Sequence, residues 1–281
     1  MKKFATILSI ILSIGLLAGC GSNSSPASGT GAATEEIKAL KIGATAGPYS
    51  DMVTKVIKPI MEKKGYTIEV VEFSDYVQPN NALSNGDIHA NLFQHKIYME
   101  NFAKENGIQL SELIPVPTAP MGIYSNKYKN LDEIAAGSTV AVASDPTNLA
   151  RTLGLLQDAG LITINDNVDP LRVSEKDIKD NPKQLVLQPL EAAQLPRAVD
   201  SVDLSLVPGN FALAAKMDLL DALLLENMPD DYRNRVVVNT ADLDKLFAKD
   251  LKAAVESAEF EQIIDEQFKG FGKPQWMLKG K

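Results

Sequence analysis

Phe73–Phe102, FSDYVQPNNALSNGDIHANLFQHKIYMENF, is the stretch that decides how the rest of the chain is interpreted. It combines aromatic side chains with several amides and with both histidines of the protein, His89 and His95. Small-ligand sites are mostly apolar walls that carry a few placed hydrogen-bonding groups, whereas amides make poor core material. The stretch therefore predicts one wall of a ligand cleft, with His89 in a structural or exposed position.

The residues before this stretch predict a strand, a helix and a second strand. Lys38–Thr45 and Tyr66–Phe73 have the pattern of strands, and the apolar residues from Met52 to Met61 recur at helical spacing. Pro59 lies inside that helix and is expected to kink it. Two strands joined in this way are parallel, and ligands bind beyond the carboxyl ends of such strands. The second strand ends where the aromatic and amide stretch begins, so topology and composition agree.

The α/β alternation starts again after the prolines at 115, 117 and 120, where we expect the chain to cross into a second lobe. Further strands are predicted at Ser138–Ala143, Leu171–Val173, Gln184–Gln188, Val202–Val207 and Arg235–Thr240, with helices at Pro146–Ala159, Asn210–Met217 and within Ala241–Phe268. We therefore predict an α/β fold of two lobes with a ligand cleft between them. Residues 37–124 plus 236–281 form lobe 1, and residues 125–235 form lobe 2.

The first 36 residues predict export and anchoring rather than a folded element. Lys2 and Lys3 precede an apolar stretch, which gives residues 1–19 the layout of a secretory signal peptide. Leu17–Cys20, Leu-Ala-Gly-Cys, resembles a bacterial lipobox and holds the only cysteine of the chain. We predict lipidation of Cys20, with acyl chains such as palmitate, and a flexible linker in the remainder of residues 20–36. An ordinary signal peptide with an incidental cysteine is the alternative.

The composition disfavours several functional classes. The net charge is −8, and loss of the leader would leave 26 basic against 36 acidic residues, so nucleic acid is not expected as a partner. Two histidines and one cysteine are a thin ligand set for zinc, and no cofactor or metal site is predicted. The chain has no Gly-x-Ser-x-Gly, HExxH or P-loop motif, so no enzyme is predicted. A pair of catalytic carboxylates and a metal-binding lipoprotein stay open as alternatives.

Ser144–Arg151, SDPTNLAR, predicts part of the opposite wall, since it follows a strand and opens a helix. Ser144 or Asp145 is expected to cap that helix. Asn148 and Arg151 are three residues apart and share a helix face near a terminus that favours anions. A guanidinium in that place is a bidentate clamp for a carboxylate. A solvated Arg151 and an Asn148 in the cap region are equally compatible with the spacing.

Asn210 is the third polar candidate of this wall. It stands at the tip of the predicted strand Val202–Val207, directly after Pro208 and Gly209. Its position predicts a helix cap, and its amide is expected to face the same cleft as Arg151. A capping role alone explains the residue as well.

Several motifs resemble those of the NlpA/MetQ-like lipoproteins, the substrate-binding subunits of bacterial methionine ABC importers. The likeness runs in order over essentially the whole chain after the leader. The motifs are DYVQPNNAL (75–83), ANLFQHKIYM (90–99), SDPTNLAR (144–151), LEAAQLPRAV (190–199) and VPGNFA (207–212).

This resemblance implies a type II periplasmic-binding-protein fold and L-methionine as ligand. It also implies a monomer that delivers methionine to a permease and its ATPase, held at the extracytoplasmic face of the cell membrane by the lipid anchor only. Another amino acid, D-methionine or a methionine-containing dipeptide is the alternative ligand. The residues implied to bind the ligand are Tyr76, Phe93, His95, Tyr98, Asn148, Arg151 and Asn210.

The chemistry of a zwitterion agrees with these assignments. Arg151 is expected to hold the α-carboxylate, while Asn148 and Asn210 hydrogen-bond the polar end. The aromatic rings enclose a flexible thioether, which gains from contact between sulfur and the rings. We expect the lobes to move about the crossings near Pro120 and Arg235, because a ligand that touches both walls favours closure.

Overall fold

The structure, a computed structural model, describes residues 37–279. The predicted signal peptide, the lipidated Cys20 and the linker up to residue 36 therefore lie outside the described residues. Within the described range, every helix is too short or too polar to span a membrane.

Strands and helices alternate through most of the described chain. The strands are β1 (Ala39–Thr45), β2 (Thr67–Phe73), β3 (Ala90–His95), β4 (Leu110–Pro115), β5 (Gly122–Tyr124), β6 (Thr139–Ala143), β7 (Thr163–Ile164), β8 (Ile178–Asp180), β9 (Val186–Leu190), β10 (Leu204–Val207), β11 (Leu224–Leu225) and β12 (Asn234–Asn239). The α-helices are α1 (Pro48–Met52), α2 (Lys58–Glu62), α3 (Gln78–Asn85), α4 (Lys96–Asn106), α5 (Pro146–Asp158), α6 (Leu195–Ala198), α7 (Gly209–Ala214), α8 (Leu246–Val255), α9 (Ala258–Gln267) and α10 (Gln275–Leu278).

The first sheet has the strand order β2–β1–β3–β12–β4. Strand β1 pairs in parallel with β2 and β3, which confirms the predicted strand–helix–strand unit. Strand β12 inserts between β3 and β4 and is antiparallel to both. All six residues of β3 are buried, although three of them, Asn91, Gln94 and His95, are polar. These side chains must therefore find hydrogen-bond partners inside the protein.

Pro59 lies in the first long helical segment, directly after a change in its hydrogen-bond pattern. A π-helix over Val53–Ile57 joins α1 to α2 and makes one continuous rod. Proline has no N–H to donate, and its ring displaces the carbonyl four residues earlier, here that of Lys55. A turn with wider hydrogen-bond spacing accommodates both effects. The buried face of the rod keeps the predicted apolar residues Met52, Val53, Val56, Ile57, Ile60 and Met61 in the core.

The second sheet has the order β11–β5–β10–β6–β9. Strand β6 is parallel to β9 and β10, and the short β5 is antiparallel to β10 and β11. The lobe boundaries given above stay a prediction, and the pairing itself places residues 122–124 in the second sheet. The predicted strand at Leu171–Val173 is wrong. It overlaps a 3₁₀ turn, Pro170–Arg172, because Asp169 caps this turn and the apolar run is too short to pair.

Two crossings connect the sheets: residues 116–121 lead from β4 to β5, and residues 226–233 lead from β11 to β12. They are hydrogen-bonded to each other, since Glu226 N–H donates to Met121 O at 3.0 Å. The C-terminal segment secures them: Gly272 and Thr118 exchange backbone hydrogen bonds of 2.9 and 3.1 Å. Helices α8 and α9 pack on the first sheet as predicted, through Phe247, Leu251 and Phe260.

Gly209 shows how closely the start of α7 approaches the first crossing. A Cβ atom on Gly209 would overlap the carbonyl oxygen of Pro120 and lie 2.7 Å from the Cβ of Ala119. We expect Gly209→Ala to lower the free energy of unfolding by about 1–3 kcal/mol, because the backbone has to move apart. Urea denaturation of the purified variant measures this change.

Gly154 provides the matched control. It lies inside α5, and a Cβ atom there would meet nothing within 4 Å. Gly154→Ala should leave stability unchanged or raise it by up to about 1 kcal/mol, since alanine favours a helix. Equal stability of Gly209→Ala and the wild-type protein would contradict the close packing at the crossing.

Candidate ligand-binding site

A narrow cavity lies between the two sheets, at the carboxyl ends of β1, β3 and β10. Its lining comes from Tyr49, Tyr76, Phe93, Gln94, His95, Tyr98, Thr118, Ala119, Asn148, Arg151, Gly209, Asn210 and Asn234. All seven residues that the sequence nominates as ligand contacts border this one cavity. The strand-end rule for parallel sheets accounts for this convergence of residues that are up to 134 positions apart.

The aromatic wall is built by rings that meet edge to face or tilted. The Tyr76 ring centre lies 5.8 Å from that of Phe93 and 5.9 Å from that of Tyr98. Phe211 of α7 packs against Tyr76 from the other sheet at 4.8 Å. The Tyr98 hydroxyl donates to the Tyr76 backbone carbonyl at 2.9 Å. These contacts fix the rings on two sides, so the wall keeps its shape.

The amides of the same stretch have a different role from the predicted one. Only Gln94 borders the cavity, while Asn80 and Asn91 are fully buried behind it. Gln94 and Asn80 exchange side-chain hydrogen bonds of 2.6 and 2.8 Å, and Asn91 donates to Asn80 Oδ1 at 3.0 Å. Two further amides of the stretch, Gln78 and Asn81, are exposed. The buried amides satisfy one another and so support β3 beneath the aromatic wall.

His95 connects the two walls. It ends β3 and caps α4, where its Nδ1 accepts the Tyr98 backbone N–H at 3.1 Å. Its Nε2 lies 3.2 Å from Asn148 Oδ1 on α5, and since Nδ1 is an acceptor, Nε2 carries the proton and donates. Burial, with a smaller contribution from the Arg151 charge, lowers the pKa of His95 to about 3. The imidazole is therefore neutral at physiological pH.

The start of α5 has the predicted cap. Asp145 accepts the Asn148 backbone N–H at 2.9 Å and also both contacts of the Asn148 side-chain NH₂, at 3.1 and 3.2 Å. This leaves the Asn148 oxygen directed at His95. Asn148 therefore takes part in the helix cap through its N–H groups and in the cavity wall through its side-chain oxygen. The cap-region position and the place in the wall are compatible with each other.

Asn210 differs from the prediction in its local role. Pro208 occupies the position before α7, so Asn210 lies in the first turn and is not the cap. Its Oδ1 accepts the Tyr76 hydroxyl at 2.7 Å, which is a second direct contact between the walls. Its Nδ2 is buried and has no hydrogen-bond partner among the described residues. This donor at the cavity is available to an acceptor on a ligand.

Arg151 has a partner that the sequence did not suggest. Its Nε donates to Glu226 Oε2 at 2.8 Å, and its Nη2 donates to Glu226 Oε1. Both side chains are 6% exposed, so Arg151 is not a solvated surface residue. Burial acts to lower the pKa of Arg151, but the carboxylate of Glu226 outweighs it and raises this pKa above its ordinary value. The guanidinium of Arg151 is therefore charged.

Glu226 leaves part of the guanidinium available. It occupies the side edge of Arg151, formed by Nε and one N–H of Nη2. Within the described residues the hydrogen bonds of Arg151 go to Glu226 and leave the end edge, formed by Nη1 and the other N–H of Nη2, for a further acceptor. Arg151 also lines the cavity. A second carboxylate can be held there by two parallel hydrogen bonds.

The sequence analysis missed three further lining residues that carry polar groups, Tyr49, Thr118 and Asn234. Tyr49 follows β1, so the strand-end rule contained a signal for it. Thr118 and Asn234 lie at the crossings and hydrogen-bond each other, from Asn234 N–H to Thr118 Oγ1 at 2.8 Å. Nothing in their local sequence indicates this contact. Among residues 37–279, no cluster of three or more His, Cys, Asp or Glu could hold a metal ion.

The fold is the two-lobe type II periplasmic-binding-protein fold, which confirms the predicted fold class. It is defined by two β-sheets with helices packed on them, two crossings, and a polar and aromatic cavity between the sheets. The chain belongs to the NlpA lipoprotein family, whose model matches residues 40–276. This confirms the resemblance found in the sequence.

Three related proteins match most or nearly all of this chain. The D-methionine-binding lipoprotein MetQ of Salmonella typhi is 37% identical over 98% of this chain and 98% of its own length. A nutrient binding protein from Burkholderia cenocepacia bound to methionine is 38% identical, with a TM-score of 0.78 over 82% of this chain and 97% of its own. The periplasmic substrate-binding protein of an ABC transporter from Coxiella burnetii is 33% identical, with a TM-score of 0.78 over 83% and 99% of the two chains.

The neutral state of His95 predicts a pH dependence of stability. The folded protein keeps the ring neutral down to about pH 3, whereas the unfolded chain takes up a proton below about pH 6.5. The free energy of unfolding should thus fall by about 1 kcal/mol from this group between pH 7 and pH 5.5. Urea denaturation at both pH values should show a loss that is about 1 kcal/mol larger in the wild-type protein than in His95→Gln.

The same variant identifies the His95 ring signal in an NMR spectrum, because that signal disappears in His95→Gln. A ring that titrates with a midpoint at or above pH 6.5 would contradict the burial of a neutral imidazole.

Proposed function

We propose that this protein is a lipid-anchored, extracytoplasmic solute-binding protein that captures L-methionine and delivers it to an ABC importer. The observation that carries the proposal is the pairing of unused donors with an aromatic wall at one cavity. The donors are the end edge of Arg151 and Nδ2 of Asn210. The names of the related proteins, which mention methionine and ABC transport, support the same assignment.

The polar end of an amino acid fits the donors of the second wall. Its carboxylate would take the end edge of Arg151 and accept from Asn210 Nδ2, so that both donors gain a partner. Asn148 Oδ1 accepts one hydrogen bond from His95, and an amide oxygen has a second lone pair for an ammonium group. The ion pair with Glu226 keeps the guanidinium charged and oriented for this contact.

The apolar end would lie among Tyr76, Phe93 and Tyr98. A thioether is flexible, and contact between sulfur and an aromatic ring contributes on the order of 0.3–1.5 kcal/mol. Rings tolerate other apolar side chains, so a different amino acid, D-methionine or a methionine-containing dipeptide is the alternative ligand. One methylene changes binding by only about 1–3 kcal/mol, which limits selection by the walls alone.

Residues of both sheets touch the proposed ligand, so closure of the two walls is favoured when it is bound. The closed form would then dock on a permease whose ATPase drives import. We propose no enzymatic activity, because the histidine of the cavity, His95, is already engaged in two hydrogen bonds. We also propose that the protein acts as a monomer and binds no nucleic acid.

Arg151→Lys tests the carboxylate contact. Lysine keeps a charge for Glu226 but lacks the second, planar edge of the guanidinium, so methionine affinity should fall by about 2–4 kcal/mol. Calorimetry with L-methionine, D-methionine and other amino acids on stripped protein measures both the ligand preference and the loss. Native mass spectrometry of freshly purified protein identifies a retained ligand.

Arg172→Lys is the control, because Arg172 is exposed and does not line the cavity. It should bind methionine as the wild-type protein does. A loss below 0.5 kcal/mol in Arg151→Lys would refute the carboxylate role of Arg151. Absence of any amino-acid binding to the wild-type protein would refute the proposed function.

Cys20→Ala tests the proposed anchor. The processed lipoprotein should be found with membranes, and the variant should be released, because it has no acyl chain to partition into the bilayer. Fractionation followed by immunoblotting measures the distribution. Methionine affinity should be equal in the two forms, and retention of Cys20→Ala in the membrane fraction would count against lipid attachment.

A further inference from the structure

Glu226 is the counter-charge of the cavity, although it does not line it. Within the described chain, Arg151 is the only charged residue of the lining, and the neighbouring His95 is neutral. Glu226 contacts Arg151 along the side edge, which is adjacent to the end edge and shares Nη2 with it. The charges of this ion pair therefore cancel before any ligand enters.

The carboxylate of Glu226 is held in place by the crossings. Its Oε1 accepts the Met121 backbone N–H at 2.6 Å, in addition to Arg151. The backbone N–H of Glu226 donates to Met121 O at 3.0 Å, so both the main chain and the side chain are fixed to the same residue. With a 6% exposed side chain, Glu226 has little access to water, and its field at the cavity is weakly screened.

We propose that Glu226 determines the net charge of the ligand that the cavity accepts. This inference rests on the proposed function, in which a ligand carboxylate binds the end edge of Arg151. That carboxylate and Glu226 then flank one guanidinium as like charges, which repel each other in a site of low polarity. The ammonium group of a zwitterion offsets this repulsion, and an anion without an ammonium group does not. Glu226 thus selects an amino acid over its net-negative analogues.

A purely structural role for Glu226 makes a different prediction. If Glu226 only orients Arg151, its replacement weakens every ligand that has a carboxylate by the same factor. If Glu226 also balances charge, its replacement weakens the zwitterion relative to the anion. The ratio of two affinities therefore separates the two roles, whereas a single affinity does not.

The test compares L-methionine with its 2-hydroxy analogue, which has the same skeleton and a hydroxyl group in place of the ammonium group. Calorimetry should show that the wild-type protein binds L-methionine at least a hundredfold more tightly. In Glu226→Gln this ratio should narrow by at least tenfold, because glutamine has similar size and no charge. Glu226→Asp keeps the charge and should keep the ratio.

Glu226→Ser gives the same comparison if Glu226→Gln does not fold, since serine removes the charge and leaves room for water on Arg151. An affinity ratio that stays within threefold of the wild-type value in the uncharged variant would overturn the inference. The wild-type titration with L-methionine distinguishes a failure of the proposed function from a failure of the Glu226 inference. If the wild-type protein does not bind L-methionine, the proposed function is wrong. If it binds and the affinity ratio does not change, only the role of Glu226 is wrong.

Discussion

The ion pair between Arg151 and Glu226 is the interaction on which the arrangement of the cavity depends. Removing one partner of such a buried pair leaves an uncompensated charge, at a cost of roughly 3–5 kcal/mol. Arg151 projects from α5 of the second sheet, and Glu226 begins the crossing that returns to the first. Through Met121 the same carboxylate reaches the outgoing crossing. The charge of the site and the connection between the sheets therefore involve the same atoms.

Local sequence patterns were sufficient for the parts of the fold that depend on neighbouring residues. Periodicity predicted β1 and β2, and their parallel pairing followed from the helical segment between them. The rule that ligands lie at the carboxyl ends of strands then brought the aromatic stretch and Asn148 to one cavity before any contact was known. The family resemblance supplied the particular residues, such as Asn210, that composition alone left undecided.

The features of the site that the sequence did not predict depend on contacts between distant positions. Glu226 is 75 residues from Arg151 and follows a short strand in a stretch without any recognisable motif. Asn80 and Asn91 had the composition of a pocket lining, but they are hydrogen-bonded behind it, because all of β3 is buried between neighbours. Strand position and pairing are set by the complete sheet, and a local pattern does not contain that information.

The insertion of β12 between β3 and β4 also sets an order of assembly. Among the described strands, β4 pairs only with β12, so it finds its neighbour once residues 234–239 are present. The strands of the second sheet all lie within residues 122–225. Contacts between distant positions form late, because the entropy of closing a long loop comes first. A chain that emerges from its amino terminus can thus pair all strands of the second sheet before those of the first. In a protein threaded through a translocation channel from its amino terminus, the aromatic half would stay incomplete until most of the polypeptide had emerged.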